Sequence, residues 1–291
     1  MSRAVRRCDR GPVSAPTGPA AVFDRAAETY DAVGVPWFGP FAAGLVDALR
    51  PQAGERALDV GCGRGAALAP VARRVGPTGR AVGIDLAPAM VRLTAADLAD
   101  LGWVEVHLDD AAAPSFAPAS FDLVSSSLVL FLLDDPVAAL RRWSELLVPG
   151  GRVGVTTFGE EDPRWRELDA VFLPHLPPTA EDPEASGAAD PFDSDAGVEA
   201  LLADAGFVGV RTVRQAVDAT FDDVEHLLRF SWSHGQRATW EAVPPGERHV
   251  VRAEIVERAA GLGLGPGPFT LSQDVRHTLG HRPGGAGSRR G

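Results

Sequence analysis

Eight consecutive residues, Leu58-Asp59-Val60-Gly61-Cys62-Gly63-Arg64-Gly65, hold the densest chemical signal in the chain. Glycines at alternate positions let the backbone approach a ligand closely, with no Cβ atoms between them. Gly61, Gly63 and Ala66 also satisfy the dinucleotide pattern G-x-G-x-x-G/A, and Asp85 lies 24 residues past Gly61, where an acid for ribose hydroxyls belongs. On the glycines alone, a plain structural turn and a nicotinamide or flavin site both stay open. Asp59 weighs against a pyrophosphate, which needs N–H donors and a helix N-terminus and is repelled by a carboxylate, whereas a cationic cofactor gains from one. A further acid pair, Asp109-Asp110, offers an acceptor for an adenine amino group, and the Ala111 N–H offers a donor to a ring nitrogen. No second glycine fingerprint and no hydride-transfer constellation accompanies the turn.

Other reactive side chains are few. All 28 basic residues are Arg, so Schiff-base and lysine-base chemistry are excluded. His234 is the first candidate for a general base, because imidazole titrates near neutral pH, and His226 and His175 are further candidates. Tyr30 is the chain's only tyrosine. Trp37 and Phe38 follow a Gly/Pro break and read either as a lid or as ordinary packing. Asp222-Asp223-Val224-Glu225 reads as an acidic helix N-terminus, not a metal site. Cys8 and Cys62 give neither a disulfide framework nor metal-ligand spacing, which fits a reducing cytoplasm, and no metal is expected.

These residues need a frame. At 291 residues the chain is long enough for one large α/β domain with an insertion or for two small domains, and its 45% apolar content, with a net charge of −11, is that of an ordinary globular protein. The first ten residues hold four Arg and one Asp, so the remaining body is more acidic still and nucleic acid is not an expected partner. No apolar run approaches the roughly 18 residues a membrane span needs, and the N-terminus lacks the apolar stretch of a secretory signal. The pattern predicts helices over 20–50 with a break at Gly34 and Pro36, then strands at 56–60, 80–85, 104–108, 121–126, 152–157, 207–217 and 269–279. Helices are predicted between them at 66–75, 88–102, 136–147, around 198–205, over 221–243 and over 247–260. Asp135 reads as an N-cap with Pro136 at the first helical position, and Gly206 as a C-cap. Alternating strands and helices predict a doubly wound, mostly parallel sheet covered on both faces. The expected organisation is a disordered arm at 1–19, one domain over 20–282 and a disordered tail at 283–291. Segments 20–45, 159–193 and 218–265 are expected to build a helical cap.

The strings ALDVGCGRG, GRAVGIDLAPAMV, DDAAAPSFAPASFDLV and LVPGGRV, in that order and spacing, resemble the motif set of class I S-adenosylmethionine-dependent methyltransferases. The likeness is greatest to the ubiquinone/menaquinone-biosynthesis type and the small-molecule methyltransferases of bacterial secondary metabolism. It is strong over 20–157 and returns weakly at 195–217 and 269–280. The resemblance implies a Rossmann-like seven-stranded sheet, with strand seven antiparallel between strands five and six. It implies that Asp59, Gly61, Gly63 and Gly65 wall the methionine portion of S-adenosylmethionine. Asp85 would take both ribose hydroxyls, Leu86 and Met90 would pack near the adenine, and Asp110 and Ala111 would bind its edge. Ser125 or Ser126 would line the point where the methyl group emerges, and Tyr30 would close over the methionine end. Segment 230–234 would roof the acceptor pocket, with Trp232 in its wall beside Trp37, Phe38, Phe131 and Phe158. Relatives often carry a polar residue, frequently His, where this chain has Phe131, which points to an apolar acceptor. The implied activity is methyl transfer to O, C or N of a small, largely apolar metabolite, releasing S-adenosylhomocysteine, by a monomer or homodimer. Alternatives are a cyclisation or rearrangement that keeps the same cofactor, and an NAD(P)-dependent oxidoreductase.

Overall fold

Strand β1 (Arg56–Val60) lies at the centre of the molecule, and its residues alternate between two apolar layers. Leu58 and Val60 enter one layer with Leu140, Trp143 and Phe207, while Ala57 enters the other with Leu45, Val71 and Leu123. Burial on both faces is what a parallel sheet with helices on each side requires. A computed structural model describes residues 18–176 and 190–284. Its sheet runs β3 (Val104–Leu108), β2 (Arg80–Asp85), β1, β4 (Phe121–Ser127), β5 (Leu147–Glu161), β7 (Phe269–His281), β6 (Val208–Phe221). The first five pair in parallel, and β7 runs antiparallel between β5 and β6, as the motif resemblance implied.

Helices α2 (Phe38–Leu49) and α3 (Leu68–Val75) cover one face. Helices α5 (Pro136–Leu146) and α7 (Asp195–Asp204) cover the other. Helix α5 starts as its sequence dictates: the Asp135 carboxylate accepts the Ala138 N–H at 2.8 Å and Pro136 occupies the first turn. Such a cap is worth about 1 kcal/mol, so Asp135→Ala is the single change that most directly frays this helix.

The cap contains α1 (Gly18–Ala26), α6 (Pro163–Asp169), α8 (Val224–Trp232), α9 (Arg237–Ala242) and α10 (Arg248–Gly261). Helices α6, α8, α9 and α10 share an aromatic core with the far ends of β6 and β7. The one helical segment expected over 221–243 is two helices. The Ser231 and Ser233 hydroxyls bond back to Leu228 O and Phe230 O, and the chain turns through 233–236 before α9. Strand β5 outruns its expected length at both ends, starting at Leu147 opposite Phe121 of β4 and running to Glu161 against β7, and β6 continues to Phe221 against β7. Helix α4 (Pro88–Asp97) ends sooner than the 102 expected. Gly18 and Pro19, expected in the arm, open α1; the rest of the arm, the tail from 285 on and residues 177–189 of the expected cap lie outside the described residues. Among the described residues, no helix is long and apolar enough to cross a membrane.

Candidate active site

The chain leaves β1 through Gly61, Gly63 and Gly65, all at positive φ. A Cβ at Gly61 would lie 2.3 Å from Val129 Cγ2, so glycine there lets the segment after β4 close on the turn. A Cβ at Gly63 would meet nothing within 4 Å, because this residue borders open space. The turn is pinned by Cys62 N–H to Ile84 O at 2.8 Å, by Thr94 Oγ1 to Gly63 O at 2.6 Å and by Gly63 N–H to Asp85 Oδ2 at 2.9 Å. The other Asp85 oxygen accepts the Ala87 N–H at 2.9 Å. Asp85 is thus oriented from both sides by main chain while keeping lone pairs for further donors. Burial raises its pKa, and the N–H groups of Ala87, Gly63 and Leu86 partly oppose that rise.

Beyond the turn lies a cavity of about 190 Å³, bordered by Gly61, Gly63, Asp85, Leu86, Met90, Asp110 and Ala111, all seven expected there. These residues gather at and beyond the carboxyl ends of β1, β2 and β3, beside the point between β1 and β4 where the sheet order reverses. That is where open α/β sheets bind ligands. The acid pair after β3 is divided: Asp109 turns inward to the Ser115 N–H and hydroxyl at 2.8 and 3.0 Å, while Asp110 faces the cavity. Among the described residues no basic side chain lines this cavity, and two carboxyls do. That donor set suits an adenosyl group carrying positive charge and would repel a pyrophosphate.

Four expected lining residues stand behind the wall. Asp59 is buried, accepts the Ser125 hydroxyl at 2.7 Å, and is pushed up to about 7 by desolvation against the opposing hydrogen bonds of Ser125 and Leu68 N–H. The Ser126 hydroxyl bonds to Val60 O at 3.0 Å, so Ser127, one residue on, reaches the cavity in place of either serine. A Cβ at Gly65 would lie 3.1 Å from Thr94 Cγ2 and 3.7 Å from Leu98 Cδ1. Leu128 and Val129, not singled out from sequence, complete that wall. Leu128 stands at φ 59, a strained conformation for a branched residue that marks a shaped site.

A second cavity of about 800 Å³ adjoins the first, and Pro19, Phe23, Tyr30, Leu128 and Leu132 wall both. Trp37, Phe38, Phe131 and Phe158, the rings read from sequence as an acceptor-pocket wall, line this cavity. Tyr30 and Phe38 stack at 4.3 Å, and Phe131 and Phe158 approach to 5.6 Å, so the enclosure is built of ring faces. Burial pushes the Tyr30 phenol well above its usual pKa, so it stays protonated. Trp232 does not line this cavity: it faces the outer side of the cap, where it stacks on Trp240, because its side of α8 points away from the sheet.

His234 does line the second cavity, but not in the form of a general base. Its Nδ1 accepts the Gln236 N–H at 3.2 Å, which places the proton of the neutral ring on Nε2. Nε2 is buried without a hydrogen bond among the described residues, and burial lowers the ring's pKa to about 4. Near neutral pH this residue is a donor. His226 ties Val33 O and the Asp222 N–H together, and His175 lies 3.7 Å from Glu247; neither borders the cavity. The group missed from sequence is Asp169. It ends α6 in a Pro- and acid-rich stretch without pattern, so only the fold brings it to the cavity, where it accepts a hydrogen bond from the Gln236 side chain. Desolvation, with the nearby charge of Glu161, raises it to about 6. No cluster of metal-ligating side chains occurs among the described residues.

Residues 57–151 match the family described as a methyltransferase domain. The chain is 41% identical over 278 residues to the nocamycin O-methyltransferase of Saccharothrix syringae, covering 91% of this chain and 99% of that protein. It is 42% identical over 154 residues to the aklanonic acid methyltransferase DauC of Streptomyces sp. (strain C5), covering 52% of this chain and 68% of the other. The crystal structure of the YcgJ protein from Bacillus subtilis superposes with a TM-score of 0.55 at 16% identity, over 84% of this chain and 99% of that one, a likeness of fold.

Proposed function

The chain belongs to the class I S-adenosylmethionine-dependent methyltransferases of small molecules, and from that premise we propose that it methylates an oxygen of a small, largely apolar metabolite held in the aromatic cavity. The observation that carries this reading is the common wall of the two cavities, through which a cofactor methyl and an acceptor atom can meet. The bound cofactor supplies a methyl group on a sulfonium, already activated for in-line displacement. What remains for the chain is alignment, exclusion of water and management of one proton. Asp85 would hold the ribose hydroxyls, Asp110 and the Ala111 N–H the adenine edge, and Gly61 and Gly63 the methionine portion. The rings of Tyr30, Phe38, Phe131 and Phe158 would hold a flat acceptor against that opening. Attack on oxygen is supported by the relative that covers nearly the whole chain, which is named an O-methyltransferase.

In this reading Asp169 takes the proton of the acceptor hydroxyl and the His234 Nε2–H donates to a second acceptor oxygen. A carboxyl near 6 is ionised at neutral pH yet basic enough to work. Cys62, a buried free thiol beneath the cofactor wall, fits a reducing cytoplasm as the compartment. Methyl-labelled cofactor incubated with aklanonic acid, the acceptor named for one relative, tests the reading directly. Label is expected in the acceptor together with stoichiometric S-adenosylhomocysteine. Turnover of an acceptor without added methyl mass would overturn it. Asp169→Asn should lower kcat about 100-fold and abolish the rise of kcat/KM through pH 6; an unchanged pH profile would remove Asp169 from the proton transfer.

A further inference from the structure

Helices α8 and α9 present a second concave surface on the side opposite the acceptor. Phe230, His234 and Gln236 face the acceptor cavity, while Arg229, Trp232 and Arg237 face a separate cavity of about 560 Å³. The two share no lining residue. Four guanidinium groups converge on the outer cavity, from Arg229, Arg237, Arg248 and Arg252, in a chain whose net charge is −11.

Internal pairing accounts for two of the four. Arg252 pairs with Glu225, and Arg237 pairs with Glu241 at 2.9 Å. Arg248 engages only through Nε, which donates to Trp240 O and Val243 O at 3.2 and 3.1 Å. Its two η nitrogens, and the whole guanidinium of Arg229, bond nothing among the described residues. Trp232 fixes the arrangement: it stacks on Trp240 at 5.4 Å, and the guanidinium carbons of Arg248 and Arg237 lie 5.4 and 5.8 Å from its ring centre. Contact with a ring face orients a guanidinium without consuming its N–H donors. The cavity therefore displays two uncompensated charges, with exposed His249 at its rim and apolar walls from Val33, Leu228 and Trp232.

We infer that this cavity binds a small organic phosphate, with a phosphate monoester on Arg229 and Arg248 and its carbon body against the apolar wall. A monoester carries about −1.5 to −2 charge at neutral pH and three acceptor oxygens, matching two unmatched guanidinium forks. A monocarboxylate brings less charge and fewer acceptors. The site stands independently of the acceptor assignment.

Phenyl phosphate is the probe, titrated calorimetrically into the full chain at low ionic strength, with benzoate and inorganic phosphate as comparisons. Saturable binding of one phenyl phosphate is expected, undiminished by saturating S-adenosylhomocysteine and stronger than that of benzoate or inorganic phosphate. Arg229→Glu, which removes no hydrogen bond among the described residues, should weaken it about tenfold or more, the factor expected for one charged contact. Arg248→Ala should act alike, and Arg92→Ala, on the distant helix α4, should leave binding unchanged. Absence of saturable binding, equal affinity in Arg229→Glu, or displacement by S-adenosylhomocysteine would overturn the site. Equal affinity for inorganic phosphate would overturn the organic body.

Discussion

Asp59 is buried beneath the glycine turn with a carboxyl poised at about 7. Its pKa is raised above the unfolded value near 4, so between about pH 4 and pH 7 the folded chain holds a proton that the unfolded chain has released. Stability therefore falls as pH rises through that window, and the loss is complete above it. A positive charge bound nearby shifts the balance back by favouring the ionised carboxyl. Affinity for S-adenosylmethionine should accordingly rise by about tenfold between pH 6 and pH 8, since about a tenth of these carboxyls are ionised at the first pH and most are at the second. Asp59→Asn should flatten that dependence; calorimetric titrations with parallel profiles for both proteins would show that Asp59 does not sense the cofactor. The charge logic of this residue was legible from its neighbours in sequence, but its burial was not. Ser125 and Ser126 stop just short of the cavity because the end of β4 sets which serine reaches it, and no local pattern marks that end. The tautomer of His234 depends on a main-chain N–H two residues on, which only the turn between α8 and α9 presents.

At the scale of elements, α3 lies close on β1 and β2 because Gly83 has no side chain. A Cβ there would come within 2.6 Å of Leu68 Cδ2 and 2.9 Å of Cys62 Sγ. Both neighbours are buried, and Cys62 is the middle of the glycine turn, so neither can give way without moving the cofactor wall. Gly83→Ala should destabilise the fold by about 1–3 kcal/mol, the usual cost of overpacking. It should also weaken S-adenosylhomocysteine binding; calorimetry and thermal melts would read the two effects. A variant that melts normally and binds normally would mean that α3 shifts freely. The seven strands were legible because their apolar runs are bounded by Gly, Pro and Asp, and a buried parallel strand has little else to signal. The extra length at the far ends of β5 and β6 was not, since it rests on pairing with β7, which is remote from both in sequence. The division of segment 221–243 was hidden for a similar reason: serine hydroxyls turn back onto their own helix, a competition that an apolar periodicity does not reveal.

Across the whole molecule, the sheet has its own apolar layers and the cap its own aromatic core, and both cavities lie where the two meet. Helix α1 spans that meeting place. Phe23 of α1, with Ala27 and Tyr30 just after it, packs in a small apolar cluster against Ala87 and Met90 of the α4 region. The polar ties of α1 and the residues just after it include the Asp24 carboxylate accepting the Ala89 N–H at 2.7 Å, Arg64 donating to Ala27 O at 2.8 Å, Arg237 donating to Arg25 O at 3.2 Å, and an exposed pair between Arg25 and Glu241. Few buried apolar contacts make a segment prone to open locally. Pro19, Phe23 and Tyr30 border both cavities, so local opening of this segment would expose both of them at once. A cofactor that touches α1, Met90 and the glycine turn at once would tie the cap to the sheet. At a hundredfold excess over its dissociation constant it stabilises the bound form by about 2.7 kcal/mol. Amide exchange over residues 18–30 and 127–133 should slow about 100-fold under that condition, while exchange in α10 stays nearly unchanged. Uniform slowing across the chain would mean instead that exchange proceeds by global unfolding and that α1 is no separate gate.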